Sequence, residues 1–212
     1  MEPRITGIAG AGRGVGATHL ALLTANYLQG VLGRKTAVLE WNDHGDFNRL
    51  GKMCTGQLRD ADCYRIQHVD YYPLAEGGRL MECLAAGYEE ILIDFGSVGK
   101  QVSIELTRCS AVWFIMSFSE WQMDAFWDIA GSKEYAKKES WQFLAAFGSE
   151  ESRKQWNKRY KPEVLRIPFS ADAFTITRDL MEWMEAVLMR GPFSDHVSRG
   201  NLKKRRKRAA KG

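Results

Sequence analysis

The 212-residue sequence has no long hydrophobic run. Its longest uninterrupted apolar stretch, Ala111 to Met116, falls far short of the ~20 residues a membrane span needs. The opening Met-Glu-Pro-Arg-Ile-Thr-Gly has no apolar signal core and no cleavage pattern, so a cytoplasmic location is expected. Cysteine is scarce: Cys54, Cys63, Cys83 and Cys109 include no C-x-x-C pair, and no Cys/His grouping has zinc-ligand spacing. Four free, mostly structural thiols are expected, because a cytosolic chain of this size needs no disulfides. Five prolines and 20 glycines exclude a collagenous or low-complexity chain. Acidic residues are absent after Asp195, where Arg199, six consecutive cations from Lys203 to Arg208, and Lys211 give the final segment +8. Since the whole chain carries only +4, residues 1–195 form a mildly acidic body at −4. The expected organisation is one α/β domain over 1–195 followed by a basic, disordered tail over 196–212.

What is present is an alternation of apolar strand-like runs and amphipathic helical stretches. Strands are predicted at Arg4–Ala9, Thr36–Glu40, Gln67–Tyr72, Glu90–Asp94, Ala111–Ser117, Trp141–Phe147 and Val164–Ile167. Helices are predicted from Ala17 to about Gly33, at Leu74–Gly87, Glu120–Lys138, Glu150–Tyr160 and Thr175–Arg190, with a short one near Phe47–Lys52. Met123, Phe126, Trp127 and Ala130, and likewise Trp183 and Met184, fall on apolar helix faces expected to be core. Strands separated by helices of this length predict a mostly parallel sheet with helices on both faces, a three-layer sandwich. Ligands in such folds bind at the carboxyl ends of the strands.

The segment after the first strand is Gly10-Ala11-Gly12-Arg13-Gly14-Val15-Gly16-Ala17-Thr18-His19. Backbone N–H groups of a glycine-rich strand-to-helix turn, with a helix N-terminus behind them, make an anion cradle. The plain alternative is a tight turn that binds nothing, but four glycines exceed what turning requires. Two nucleotide patterns overlap here. Gly12-x-Gly14-x-x-Ala17 fits the dinucleotide fingerprint, and Glu40 ends the second strand where a ribose-binding acid would sit. Gly14-Val15-Gly16-Ala17-Thr18 instead resembles the core of a phosphate loop whose lysine is missing. The local pattern leaves both open.

Residues further on separate them. The chain resembles the MinD/ParA group of P-loop ATPases, which carry a deviant Walker A motif of the form K-G-G-V-G-K-T. Glu40-Trp41-Asn42-Asp43-His44-Gly45-Asp46 stands where that family has D-x-D-P-Q-G-N, and Ile91-Leu92-Ile93-Asp94-Phe95-Gly96 resembles its Walker B strand. Cys109–Ser119 resembles the family's next strand, and Arg166-Ile167-Pro168-Phe169 its late strand end, so the likeness spans about residues 4–190. The pilus-assembly and polar-localisation branch, with its atypical Walker motifs, is the nearest in kind; plasmid or chromosome partition is next.

The resemblance implies a P-loop NTPase-like fold and a site for ATP or ADP with Mg²⁺ at Gly12, Arg13, Gly14, Val15, Gly16, Ala17, Thr18 and His19. Thr18 and Asp94 would hold the Mg²⁺, and Asp94 and Glu40 are the candidate catalytic carboxylates. The family's Walker lysine falls on Ala17, its signature lysine on Gly12, and its second strand-two acid on Asn42, whose amide cannot act as a base. Arg13 is either a replacement phosphate contact or a solvated loop charge. These departures imply a nucleotide-binding switch or pseudo-ATPase scaffold in bacterial spatial organisation, with weak or no hydrolysis. A non-catalytic interaction module and a dinucleotide-dependent enzyme are the alternatives. Expected partners are nucleotide, a second copy of the chain, a further protein, and a nucleic acid or anionic membrane surface bound through Lys203, Lys204, Arg205, Arg206, Lys207 and Arg208. Deleting residues 202–212 is expected to leave the melting temperature nearly unchanged while greatly weakening salt-sensitive binding to DNA, RNA or anionic vesicles. A full-length protein that binds none of these at low salt would refute the anchor.

Overall fold

The computed structural model describes residues 2–56, 62–98, 104–124, 140–161 and 163–188. Among the described residues are eight strands: β1 (Arg4–Gly10), β2 (Thr36–Glu40), β3 (Tyr64–Ile66), β4 (Val69–Tyr72), β5 (Glu90–Ser97), β6 (Ala111–Phe118), β7 (Trp141–Gly148) and β8 (Val164–Arg166). Described helices are α1 (Ala17–Asn26), α2 (Asp46–Thr55), α3 (Gly77–Ala85), α4 (Ile104–Arg108), α5 (Glu150–Arg159) and α6 (Arg178–Leu188). The strands form one sheet in the order β3-β4-β2-β5-β1-β6-β7-β8, parallel throughout except for the antiparallel β3–β4 pair.

Alternation along each central strand sorts the core into two layers. Ile8, Val38, Leu92, Trp113 and Ile115 point to one face and pack with Leu20 and Leu23 of α1, Phe47 of α2 and Leu180, Met184 and Val187 of α6. Their neighbours Ala9, Ala37, Leu39, Ile91, Ile93, Val112 and Phe114 point to the other, against Cys83 of α3, Leu106 of α4 and Trp156 of α5. Because both faces are covered, Ala111–Met116 is apolar without a break and buried throughout. Each fully buried aliphatic or aromatic side chain contributes about 1.5–3 kcal/mol. This is the expected α/β sandwich.

Several details depart from the sequence expectation. The run from Gln67 to Tyr72 is the second half of a hairpin, with Gln67 (φ 47°) and His68 (φ 66°) forming its turn. Two consecutive left-handed residues match the twist of a tight hairpin, and neither glycine nor asparagine supplies them here. The helix expected from Leu74 begins only at Gly77, because Leu74 itself takes a positive φ of 46°. After β6 the chain makes a 3₁₀ turn over Glu120–Gln122. Phe126, Trp127 and Ala130 lie outside the described residues, as do the body of the expected 120–138 helix and the basic tail. Met123 packs against the core, and so does Trp183, beside fully buried Met184. Of the cysteines, Cys83 and Cys109 are buried, whereas Cys54 and Cys63 are exposed.

Both edge strands are three residues long. At β8, the side-chain amide of Asn157 on α5 pairs with the backbone of Val164, accepting from its N–H at 2.9 Å and donating to its carbonyl at 3.0 Å. Arg153 donates to the same carbonyl at 2.7 Å. At the other edge Tyr64 stacks on Tyr71 with ring centroids 5.5 Å apart and donates its hydroxyl to the Phe47 carbonyl at 2.6 Å. A Cβ on Gly51 would sit 2.8 Å from the Tyr64 ring, so the glycine lets α2 lie close on the hairpin.

The close approach of β6 and β7 depends on Gly148, whose φ is 90° and whose added Cβ would lie 2.0 Å from the Phe118 carbonyl carbon. Gly148→Ala is expected to lower stability by at least about 3 kcal/mol in urea denaturation. Gly33→Ala, at φ 68° but in open space, should cost only about 1 kcal/mol.

Candidate functional site

Parallel pairing brings the ends of β1, β2 and β5 to one rim, where a cleft of about 520 Å³ opens. One wall is the glycine-rich turn from Gly12 to His19; the other combines Asp43, His44, Asp46 and Arg49 with Gly96 and Ser97. All eight cofactor-contact residues expected from the sequence line this cleft.

The turn is built as a cradle. Gly14 (φ 75°) and Gly16 (φ 100°) adopt conformations that side chains disfavour, and Gly16 caps α1 without a side-chain hydrogen bond. No acidic residue sits in the first turn of α1, so nothing neutralises the positive end of its dipole. Val15 is buried and anchors the turn from below. Space above Gly12 and Gly14 is open, and packing alone does not demand a glycine at either position. Gly10 differs: its Cβ would meet Val15 at 2.6 Å and the Gly96 carbonyl at 3.3 Å.

Cations are few. Ala17, at the start of α1, carries none. Arg13 is exposed, and its carbonyl accepts from the Gln122 side chain at 3.2 Å, while its guanidinium has no partner among the described residues. Arg49, which sequence reasoning missed, projects from α2 and donates to Asp46 Oδ1 at 2.6 Å and to the His44 carbonyl at 2.8 Å. Its only sequence signal was the Asp46/Arg49 spacing of three at a helix start.

The two candidate carboxylates have different surroundings. Glu40 is fully buried, lies outside the cleft lining, and accepts the Phe47 N–H on one oxygen (3.1 Å) and the Leu74 N–H on the other (3.2 Å). It ties the start of α2 to the loop after β4. A ribose-binding role needs a carboxylate facing the cleft, and Glu40 does not supply one. Asp94, also fully buried and likewise outside the cleft lining, accepts from the Gly96 N–H at 2.9 Å through Oδ1, while Oδ2 makes no hydrogen bond of ordinary geometry. Burial, reinforced by the negative charges of Glu40 and Asp46, pushes its carboxyl up to about 6. The Thr18 hydroxyl and the Gly96 N–H oppose that shift.

Asn42 is committed on both ends. It donates to the Asp94 carbonyl at 3.0 Å and accepts from the His44 N–H at 3.0 Å. A Cβ on Gly96 would come within 2.9 Å of the His44 ring and 3.1 Å of Asn42, so this glycine admits the loop. His19 stands toward the loop after β8; burial draws its pKa down, against the charge of Asp172 and a hydrogen bond to the Ser170 carbonyl.

The donor set fits a magnesium-bound nucleotide. A glycine turn lines the cleft, and the buried Asp94 carboxylate interacts with the hydroxyl of Thr18, which lines it too. What it lacks is the cradle lysine.

The fold is that of the MinD/ParA ATPases. A plasmid partition protein of Borrelia burgdorferi B31, solved bound to AMPPNP, superposes with a TM-score of 0.62 at 15% identity, covering 88% of this chain and 97% of its own. A ParA family ATPase of Chlorobium tepidum TLS gives 0.53 at 15% identity, covering 87% and 91%. A chain of the MinC:MinD cell division complex of Aquifex aeolicus gives 0.59 at 14% identity, covering 88% of each. No family model matches the sequence, and no curated protein matches it.

Because the Asp94 pKa lies above its ordinary 3.8, the folded chain favours the protonated form. Stability therefore falls as pH rises from about 4 to about 6 and stays lowered above that. Asp94→Asn is expected to stabilise the ligand-free protein at pH 7.5 by about 2–3 kcal/mol, with the gain shrinking at pH 5. Urea denaturation at the two pH values checks this; an unstabilised variant at pH 7.5 would contradict it.

Proposed function

We propose that this protein is a MinD/ParA-like nucleotide-binding switch that hydrolyses ATP slowly or not at all. It would serve bacterial spatial organisation, in pilus assembly and localisation or in partition. The observation that carries the reading is the buried Asp94 carboxylate interacting with the Thr18 hydroxyl of a glycine turn that has no lysine.

In this reading the N–H groups from Gly12 to Thr18 bind the phosphates, and Thr18 and Asp94 hold Mg²⁺. When bound, the ion neutralises phosphate charge that the missing lysine would otherwise share. Phosphoryl transfer depends on positioning and charge stabilisation. Without cations at Ala17 and Gly12, the site loses several kcal/mol of transition-state stabilisation, on the order of a thousandfold in rate or more. Asn42 has no carboxylate to accept a proton, and its amide already bridges Asp94 and His44. Neither Asn42 nor the clamped Glu40 is placed to activate water. The site holds nucleotide more readily than it consumes it.

A second reading, an interaction module without nucleotide, draws on the rim: Trp121 is 81% and Phe169 87% exposed. Calorimetric titration with ADP and with AMPPNP, each with Mg²⁺, separates the two. Weak binding with negligible phosphate release from ATP is expected; no heat at millimolar nucleotide would favour the module. Rapid turnover abolished by Asp94→Ala would overturn the slow-hydrolysis reading. Ala17→Lys should tighten nucleotide binding by about 1–3 kcal/mol, as a charge-assisted contact does. Unchanged affinity in a folded Ala17→Lys variant would mean that the turn lacks phosphate-loop geometry.

A further inference from the structure

Arg49 is left over once the cradle and Asp94 are assigned. It lines the cleft with a side chain 67% exposed, and both of its hydrogen bonds leave from Nη2. A guanidinium offers five N–H donors. Nε and Nη1 therefore carry no hydrogen bond among the described residues. Its tether to Asp46 is an exposed pair three residues apart on a helix, a weak interaction in water. A phosphate matches the guanidinium fork in both charge and geometry.

The sheet order gives the cleft a direction. β5 and β2 lie on one side of β1, and β6, β7 and β8 lie on the other. Asp94 and the loop bearing Asp43, His44, Asp46 and Arg49 belong to the first side, whereas His19 faces Ser170 and Asp172 on the second. A phosphate chain laid on the cradle with its divalent ion at Thr18 and Asp94 would turn its terminal phosphate toward Arg49 and its nucleoside toward His19.

We infer that Arg49 recognises the terminal phosphate of a nucleoside triphosphate, exchanging Asp46 for it and supplying from α2 the cation that the cradle lacks at Ala17. This rests on the nucleotide reading above and adds to it a means of telling triphosphate from diphosphate. Arg49 also holds the His44 carbonyl, and the His44 N–H is held by Asn42, which in turn grips the Asp94 carbonyl. Occupancy by a terminal phosphate is thereby felt along the 42–46 loop and at the first turn of α2.

The test is calorimetric titration of the full chain and of Arg49→Gln and Arg49→Lys with ADP and with AMPPNP, each with Mg²⁺. The wild type is expected to bind AMPPNP more tightly than ADP. Arg49→Gln should weaken AMPPNP by about tenfold or more, the scale of a lost charge-assisted contact, and leave ADP within about twofold. Arg49→Lys should fall between, because a lysine keeps the charge but not the fork. The exposed position predicts an unchanged melting temperature for both variants. AMPPNP bound equally well by wild type and Arg49→Gln overturns the inference and leaves the nucleotide reading intact. Equal loss of both nucleotides, or a wild type that does not prefer AMPPNP, overturns the terminal-phosphate assignment. A wild type that binds neither nucleotide overturns the inference and the nucleotide reading together.

Discussion

The parallel ladder of β2, β5 and β1 governs where chemistry can occur in this molecule. Strands that run the same way end on the same side, and their register decides which residues meet there: Glu40 beside Asp94, and Gly10 beside both Ser97 and Ile115. Two acids are thus carried to the rim of a sheet whose faces are already covered by helices. A buried carboxylate must find donors or carry a penalty. Glu40 finds two backbone N–H groups and becomes part of the scaffold. Asp94 finds one backbone N–H and the Thr18 hydroxyl, which do not offset its burial. The difference in how well the two acids are satisfied is thus set by which loops the ladder places overhead.

Those loops also decide how charge reaches the cleft. A phosphate loop with its lysine carries the cation on the same helix that presents the N–H groups. Here the cradle offers only backbone dipoles, and the guanidinium groups stand on separate walls, Arg13 on the turn itself and Arg49 on α2. Aspartates 43 and 46 share the second wall, so the cleft without ligand is close to balanced in charge. An anion approaching Arg49 must compete with Asp46 for it. Under the nucleotide reading proposed above, such a site would depend more on the metal ion and the backbone than on side-chain cations.

Much of this was legible in the sequence because single physical causes dominated. Thr36–Glu40 was bounded correctly as a short apolar run between a charged turn and a loop, and the strand expected at Ala111–Ser117 runs one residue further, to Phe118. The glycine turn that walls the cleft stood out through glycines that turning alone does not need. Other features depend on what lies above or beside a residue, which no local pattern records. Gln67 and His68 gave no hairpin signal, since their left-handed conformations are imposed by the pairing of Tyr64 with Tyr71. Glu40 stands where an acid could serve a ligand, but the direction its carboxylate turns is fixed by Phe47 and Leu74. Arg49 sits in an unremarkable helix start, and only the fold brings it opposite the glycine turn.

The covered edges of the sheet bear on how copies of this chain could associate. A strand with free N–H and carbonyl groups along its outer side invites another strand to continue the ladder. At β8 the Asn157 amide already occupies the place a neighbouring backbone would take, and β3 offers only three residues, one of them Arg65 held by Asp70. Extension of the sheet from molecule to molecule is therefore blocked at one end and poorly templated at the other. Association between copies is left to helix faces and to the rim above the strands, surfaces that can meet and part without unzipping a single backbone hydrogen bond.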